Sequence, residues 1–190
     1  MDDLAGFITF LQQAERLKAT KRSGWTSTGE AETVAAHTWR LCLMAMVLAD
    51  QFPEVNMDRV IRMLVIHDLG EALHGDIPAP QQSAAGAKAA DERRDLLQLL
   101  APLPARSREM IVQLWDEYEA CETAEARLAK GLDKLETIMQ HNQGQNPSDF
   151  DYEFNLEYGR RFTSDDPRLA MLRDMLDRET SARANRSRPL

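Results

Sequence analysis

The sequence is most informative at Val65-Ile66-His67-Asp68-Leu69-Gly70-Glu71. The spacing of apolar residues around this stretch predicts a buried helix over residues 57–73. An imidazole beside a carboxylate in such a helix costs stability unless a partner satisfies both groups, and a cation would do so. Because neighbouring helix residues point about 100° apart, His67 and Asp68 can share one ion only at the helix edge. Other helices must then supply the remaining ligands.

Two polar residues on apolar helix faces are the best candidates for those ligands. His37 lies on the same helical stripe as Leu41, and Asp133 lies between Leu132 and Leu135. Two imidazoles and two carboxylates form a nitrogen and oxygen site that suits Mn, Fe, Co, Ni or Zn better than Mg. Four protein ligands also leave coordination positions for water, as a catalytic site requires.

Each of these residues has a simpler interpretation when it is taken alone. His37 could be a core histidine whose hydrogen bonds are satisfied by the fold. Asp133 could form a buried salt bridge with an arginine. The joint order is much more specific, because a histidine is followed by His-Asp about 30 residues later and by an aspartate about 65 residues further on.

The remaining pattern is helical almost throughout, so we predict an all-α fold. Residues 21–30 and 77–86 are rich in Gly, Ser, Thr or Pro and are predicted to be loops. Thr33 is expected to cap the helix that contains His37. We expect one domain over residues 1–180 and a disordered tail over residues 181–190. Further helices are predicted over residues 4–18, 88–100, 107–118, 124–141 and 167–178.

The order of His37, His67-Asp68 and Asp133 resembles the H…HD…D pattern of the HD-domain superfamily of metal-dependent phosphohydrolases. The surrounding sequence is similar to the 5′-deoxynucleotidase (YfbR-like) branch, and this resemblance covers residues 4–140. It is carried by residues 17–25, 32–37, 67–77, 114–119 and 132–136. The resemblance implies an HD-domain helical bundle that hydrolyses deoxyribonucleoside 5′-monophosphates to nucleoside and phosphate. It implies one divalent transition metal (Co, Mn, Zn, Fe or Ni, with Mg less favoured).

The residues after the His-Asp pair are candidates for catalysis. Glu71 follows Asp68 by three residues, so on a helix it shares the ligand face and could orient or deprotonate the attacking water. Asp76 follows the predicted helix end and could hold water, hold the leaving 5′-oxygen or donate a proton to it. The simpler alternatives are an exposed helix carboxylate for Glu71 and an ordinary turn residue for Asp76.

The candidates for substrate binding precede His37. Arg22 stands fifteen residues before His37, as the phosphate-binding arginine does in the branch it resembles. A guanidinium also matches phosphate geometry. Trp25 could pack on the sugar or base, although Arg-Ser-Gly-Trp departs from the Arg-Trp of the short bacterial form. A solvated arginine and a core tryptophan are the alternatives.

Other residues of the branch pattern are left outside the core site. Glu32, Lys88 and Glu92 have no predicted role, whereas Arg40 could pair with a ligand carboxylate. His74 is the only histidine between the His-Asp pair and the last aspartate, which favours a site with a single metal ion.

Composition limits the class of partner. The net charge of −8 argues against a broad nucleic-acid surface, whereas a nucleotide substrate remains compatible with it. The apolar run at residues 41–49 is too short to span a bilayer, and the N-terminus lacks the basic start of a signal peptide. Together with isolated cysteines at positions 42 and 121, this predicts a cytoplasmic protein without membrane contact.

The sequence also gives expectations about the oligomeric state and leaves alternative functions open. The resemblance implies a homodimer, for which residues 96–100 or 171–176 could supply an apolar face. The acidic and aromatic residues 149–154 are expected at the mouth of the site. The rival functions are hydrolysis of a cyclic nucleotide or a dNTP, and nucleotide binding by a regulatory protein without turnover.

Overall fold

A computed structural model describes residues 2–76 and 85–187. The prediction of an all-α fold is confirmed, because helices surround one hydrophobic core and the strands form only a short hairpin. Within the described ranges, no helix combines the length and apolarity needed to cross a membrane. The helices are α1 (Asp2–Ala14), α2 (Val34–Leu48), α3 (Met57–Ile66), α4 (Glu71–His74), α5 (Ala85–Leu99), α6 (Ala105–Ala120), α7 (Ala124–Gln143), α8 (Tyr152–Glu157) and α9 (Pro167–Ser187).

Helix α7 is the central element of the core. It packs against α2, α3, α6 and α9, and its side chains Leu132, Leu135 and Ile138 are almost completely buried. The polar residues of α7 that lie between these positions are therefore carried into the interior. Such residues need partners from the surrounding helices.

The loop predicted at residues 21–30 was wrong over residues 21–25, which form the first strand of an antiparallel hairpin, and was right over residues 26–30, which connect its strands. Strand β1 (Lys21–Trp25) pairs with β2 (Ala31–Thr33), and Gly29 supplies a φ of 84° in the connection. The strands are short and polar, so they lack the alternation that marks a strand in sequence. The predicted cap of α2 is present, because the Thr33 hydroxyl accepts from the Ala36 amide at 3.2 Å.

The continuous helix predicted over residues 57–73 was also wrong, because the chain leaves the helix at His67 and re-enters one at Glu71. The indole Nε1 of Trp115 donates to the His67 carbonyl at 3.1 Å, and the Glu71 amide bonds to the Asp68 carbonyl instead. A side chain that takes a helix carbonyl interrupts the ladder of helical hydrogen bonds. His67 and Asp68 therefore lie on the turn between α3 and α4.

The disordered tail predicted from Ser181 was wrong as far as Ser187, where α9 ends. The Thr180 hydroxyl donates to Asn142 Oδ1 at 2.9 Å, which anchors α9 to α7, and Arg186 donates to the Ala182 carbonyl. The helix α8 was not predicted. Most of the predicted loop at 77–86, the side chain of Lys88 and residues 188–190 lie outside the described residues.

Candidate metal centre

Three buried side chains from separate elements converge beside α7. His37 comes from α2, His67 from the turn after α3, and Asp133 from α7, and one potential ligand atom of each lies within 4.8 Å of the others. Asp133 Oδ1 is 3.3 Å from His37 Nε2 and 4.0 Å from His67 Nε2. The structure therefore brings together three of the four residues predicted as ligands.

Asp68 lies at the edge of this group. Its Oδ2 atom is 3.0 Å from His67 Nε2 and 3.2 Å from Nη1 of Arg22. It is not one of the three residues whose ligand atoms all lie within 4.8 Å of one another. Asp68 thus contacts the group through His67 while it also faces the guanidinium of Arg22.

The second nitrogen of each imidazole is already engaged. His67 Nδ1 donates to the Leu64 carbonyl at 2.7 Å, and His37 Nδ1 hydrogen-bonds to the Glu136 carboxylate. These contacts favour neutral tautomers whose lone pairs are on Nε2. Both Nε2 atoms are buried and lack a hydrogen bond among the described residues, yet each faces carboxylate oxygen. Lone pairs that face carboxylates in this way fit a shared cation.

The two oxygens of Asp133 face different surroundings. Oδ1 faces the imidazoles, whereas Oδ2 accepts hydrogen bonds from Tyr118 Oη at 3.0 Å and Lys134 Nζ at 2.8 Å. Burial would raise the pKa of Asp133, but Lys134 and His37 outweigh it and hold the pKa well below its usual range. The carboxylate is thus charged and fixed in orientation.

The local field favours positive charge at His37. Burial and Arg22 would lower the pKa of His37, but the Glu136 and Asp133 carboxylates raise it to about 9. Burial would raise the pKa of Asp68, yet His67 and Arg22 lower it. Such a field stabilises a cation at this position, which is a proton or a metal ion.

Arg22 joins the hairpin to the converging side chains. Its Nη1 contacts Asp68, its Nη2 donates to Thr137 Oγ1 at 3.2 Å, and its Nε is 3.3 Å from Glu32. Burial would lower the pKa of Arg22, but Asp68 and Asp133 raise it further above its usual range. The alternative of a solvated arginine is therefore excluded, because the guanidinium is clamped on three sides.

A cavity of about 880 Å³ reaches His67 and Asp133 of this group, whereas His37 lies behind its wall. Glu71 lines it with only 4% of its surface exposed, which excludes the exposed-carboxylate alternative. Asp76, Trp25 and Glu92 line the same cavity, as does the acidic and aromatic segment at residues 149–154 that was expected at its mouth.

The sequence analysis did not identify the residue that contacts Nδ1 of His37, the ring nitrogen that does not face Asp133. Glu136 is completely buried on α7, and it contacts His37 Nδ1 and, at 2.6 Å, Arg40 Nε. Arg40 therefore pairs with Glu136 rather than with a predicted ligand. The available signal was its helical spacing, since Glu136 follows Asp133 by three residues and shares its face.

One further cluster of carboxylates with a histidine, and one histidine–aspartate pair, do not require a metal ion. Glu32, His37 and Glu136 also lie close together, but Arg22 and Arg40 already balance these carboxylates. His74, the histidine between the His-Asp pair and Asp133, pairs with Asp95 at 2.6 Å and belongs to neither group of metal-competent side chains found among the described residues.

Comparisons with known proteins agree with this geometry. Residues 14–171 match the HD domain family. The 5′-deoxynucleotidase HDDC2 of Mus musculus is 34% identical over 141 residues, which span 73% of this chain and 70% of that protein. The 5′-deoxynucleotidase hdd1 of Schizosaccharomyces pombe is 34% identical over 139 residues, which span 70% of this chain and 69% of that protein. The crystal structure of a predicted metal-dependent phosphohydrolase from Magnetospirillum magnetotacticum is similar, with a TM-score of 0.80, 28% identity, and coverage of 96% of this chain and 97% of that one.

Proposed function

The chain belongs to the HD-domain family, and from this membership we propose that it is a 5′-deoxynucleotidase that depends on one divalent metal ion. The observation that carries the proposal is the convergence of His37, His67 and Asp133 beside a large cavity, which His67 and Asp133 line. The names of its relatives supply the substrate class, which is a deoxyribonucleoside 5′-monophosphate.

The proposed ligands are His37, His67, Asp68 and Asp133. The neutral tautomers of the imidazoles and the fixed, charged carboxylate of Asp133 suit Co, Mn, Zn, Fe or Ni better than Mg. When bound, such an ion supplies Lewis acidity that makes water a better nucleophile and withdraws charge from a phosphate oxygen.

The chain's own residues perform the remaining tasks of the reaction. Arg22 is placed to bind the phosphate, because its guanidinium faces the cavity beside Asp68. The Glu71 carboxylate orients the attacking water and accepts its proton. Asp76 acts at the leaving 5′-oxygen, and Trp25 packs on the sugar or base.

The test combines metal analysis of the purified protein with phosphate release from dAMP, dGMP, dTMP, AMP, dATP and cyclic dinucleotides. The proposal expects about one equivalent of a transition metal and turnover of the deoxynucleoside monophosphates. Preferential turnover of dATP or a cyclic dinucleotide would establish the rival hydrolase. Binding without phosphate release would establish the regulatory alternative.

We further propose a cytoplasmic homodimer that associates through α2. Exposed apolar side chains form one stripe on α2, which contains Trp39, Met46 and Val47. Of the two faces that the sequence offered, residues 96–100 supply little apolar surface because Leu96, Leu99 and Leu100 are completely buried, whereas Met171 and Met175 of the other face are exposed. Sedimentation analysis should show a dimer that Val47→Glu converts to a monomer. A dimer that Met171→Glu disrupts and Val47→Glu leaves intact would instead place the contact on the face offered at residues 171–176.

A further inference from the structure

One buried side chain at the far end of the cavity has an unused hydrogen-bond donor. Asn155 of α8 is 1% exposed and lines the cavity, and its Nδ2 has no hydrogen-bond partner within residues 2–76 and 85–187. A buried amide of this kind loses its hydration without compensation, which costs free energy unless a ligand satisfies it.

The position of the Asn155 amide is fixed from two sides. Its Oδ1 lies 3.0 Å from His141 Nδ1, and its backbone carbonyl accepts from Arg173 Nη2 at 2.7 Å. Burial lowers the pKa of His141, so the imidazole is neutral and its Nδ1–H occupies the amide oxygen. The Nδ2 group therefore remains as the donor for another partner.

Helix α7 relates this amide to the proposed metal centre. Asp133, Thr137 and His141 recur every four residues, so they follow one face of the helix, and all three line the cavity. Eight residues of helix rise by about 12 Å, which is comparable to the length of a nucleoside monophosphate. Asp133 marks the end where phosphate would be cleaved, and His141 with Asn155 marks the opposite end.

Aromatic side chains surround the end that contains Asn155. The ring of Phe150 lies 4.9 Å from the ring of His141 and 6.4 Å from that of Trp25, and Phe154, next to Asn155 in the chain, also lines the cavity. Aromatic surfaces bind nucleobases by stacking, and they tolerate every base because each has a π face.

We infer that Asn155 holds the nucleobase of the substrate by donating a hydrogen bond from Nδ2 to an acceptor on the base edge. This inference rests on the proposed function, since it assigns the base end of the same cavity. All four bases carry ring nitrogen or carbonyl acceptors, so a single donor supports base binding without selecting one base.

The test compares substrates that have and lack a base. For the wild type and for Asn155→Asp and Asn155→Leu, KM and kcat are measured on dAMP, dGMP, dCMP, dTMP and 2-deoxyribose 5-phosphate. Both variants are similar to asparagine in size and lack the N–H donor, but only one is charged. The expected result is a rise in KM of about three- to tenfold on all four nucleotides, with KM on deoxyribose 5-phosphate unchanged.

The control is Asn142, a buried asparagine whose amide is paired with Leu176 and Thr180 and does not line this cavity. Asn142→Asp should lower the melting temperature but leave the ratio of KM on each nucleotide to KM on deoxyribose 5-phosphate unchanged. Equal changes on nucleotides and deoxyribose 5-phosphate, or no change in either Asn155 variant, would overturn the inference. A wild type that releases phosphate from no nucleotide would instead refute the proposed function.

Discussion

Glu71 begins α4, and its buried carboxylate lines the cavity beside the proposed metal ligands. Glu71→Gln preserves the shape of the side chain but removes the base that would accept a proton from water. We predict that kcat falls by about 10²- to 10⁴-fold while the metal content stays the same, as steady-state kinetics and metal analysis would show. Glu119, another carboxylate of the cavity wall, pairs with Lys130 and offers a control. An unchanged rate in Glu71→Gln would remove Glu71 from the mechanism.

Glu136 acts on the centre only through His37. Its carboxylate fixes the Nδ1 proton of His37 and thereby directs Nε2 towards Asp133. Since such supporting carboxylates raise the basicity of a ligand imidazole, Glu136→Gln should weaken metal binding by about 10- to 100-fold, as measured by competition with a chelating dye. Glu117, which pairs with Arg59 away from the cavity, provides the matched variant Glu117→Gln. Equal metal affinity in both variants would show that the Glu136 contact only stabilises the fold.

A site residue could be predicted from the sequence only where its local pattern already shows a polar group on a buried face. His37 and Asp133 could be selected from the sequence, because each interrupts an apolar helix face. A polar group in such a position indicates that it is buried and needs a partner. Asn155 could not be selected, since its side chain is held by His141 of α7 and its backbone carbonyl by Arg173 of α9. No local pattern reports a contact between elements that are distant in sequence.

At the scale of the elements, the turn at His67 depends on the close approach of two backbones. A Cβ atom on Gly70 would lie 2.6 Å from the Glu92 carbonyl oxygen of α5, so only glycine fits there. Gly70→Ala should destabilise the protein by about 1–3 kcal/mol, because α5 or the turn must shift. Urea denaturation would measure this change, and reduced metal affinity should accompany it. An unchanged midpoint of unfolding would mean that the turn has room to adjust.

Helix type was predictable along most of the chain, whereas the breaks were not. Apolar periodicity indicates which face of a helix is buried. The apolar pattern of α3 followed by α4 is the same as that of one straight helix, so the break between them leaves no trace in the sequence. The interruption arises from Trp115, whose indole takes the His67 carbonyl from α6, forty-eight residues further along the chain. The hairpin of β1 and β2 was similarly hidden, because its register is fixed by pairing and not by alternating apolar residues.

For the whole molecule, the proposed centre connects three parts of the chain that are distant in sequence. Its side chains come from α2, from the turn after α3 and from α7. A ligand that binds the folded arrangement and not the unfolded chain stabilises the fold in proportion to its excess over Kd. Metal binding should therefore be visible in global unfolding as well as in activity.

We predict that chelation abolishes phosphate release and lowers the melting temperature, and that added metal restores both. At a free metal concentration of 100 times Kd, the stabilisation is about 2.7 kcal/mol, which corresponds to a shift of about 5–11 °C for a chain of this size. Differential scanning fluorimetry over a metal titration measures the shift. Asp68→Asn should reduce it, because a charged ligand of the proposed site is lost. His74→Ala should retain it, since His74 pairs with Asp95 outside the metal-competent groups. Equal shifts in the two variants would place the stabilising ion elsewhere on the molecule.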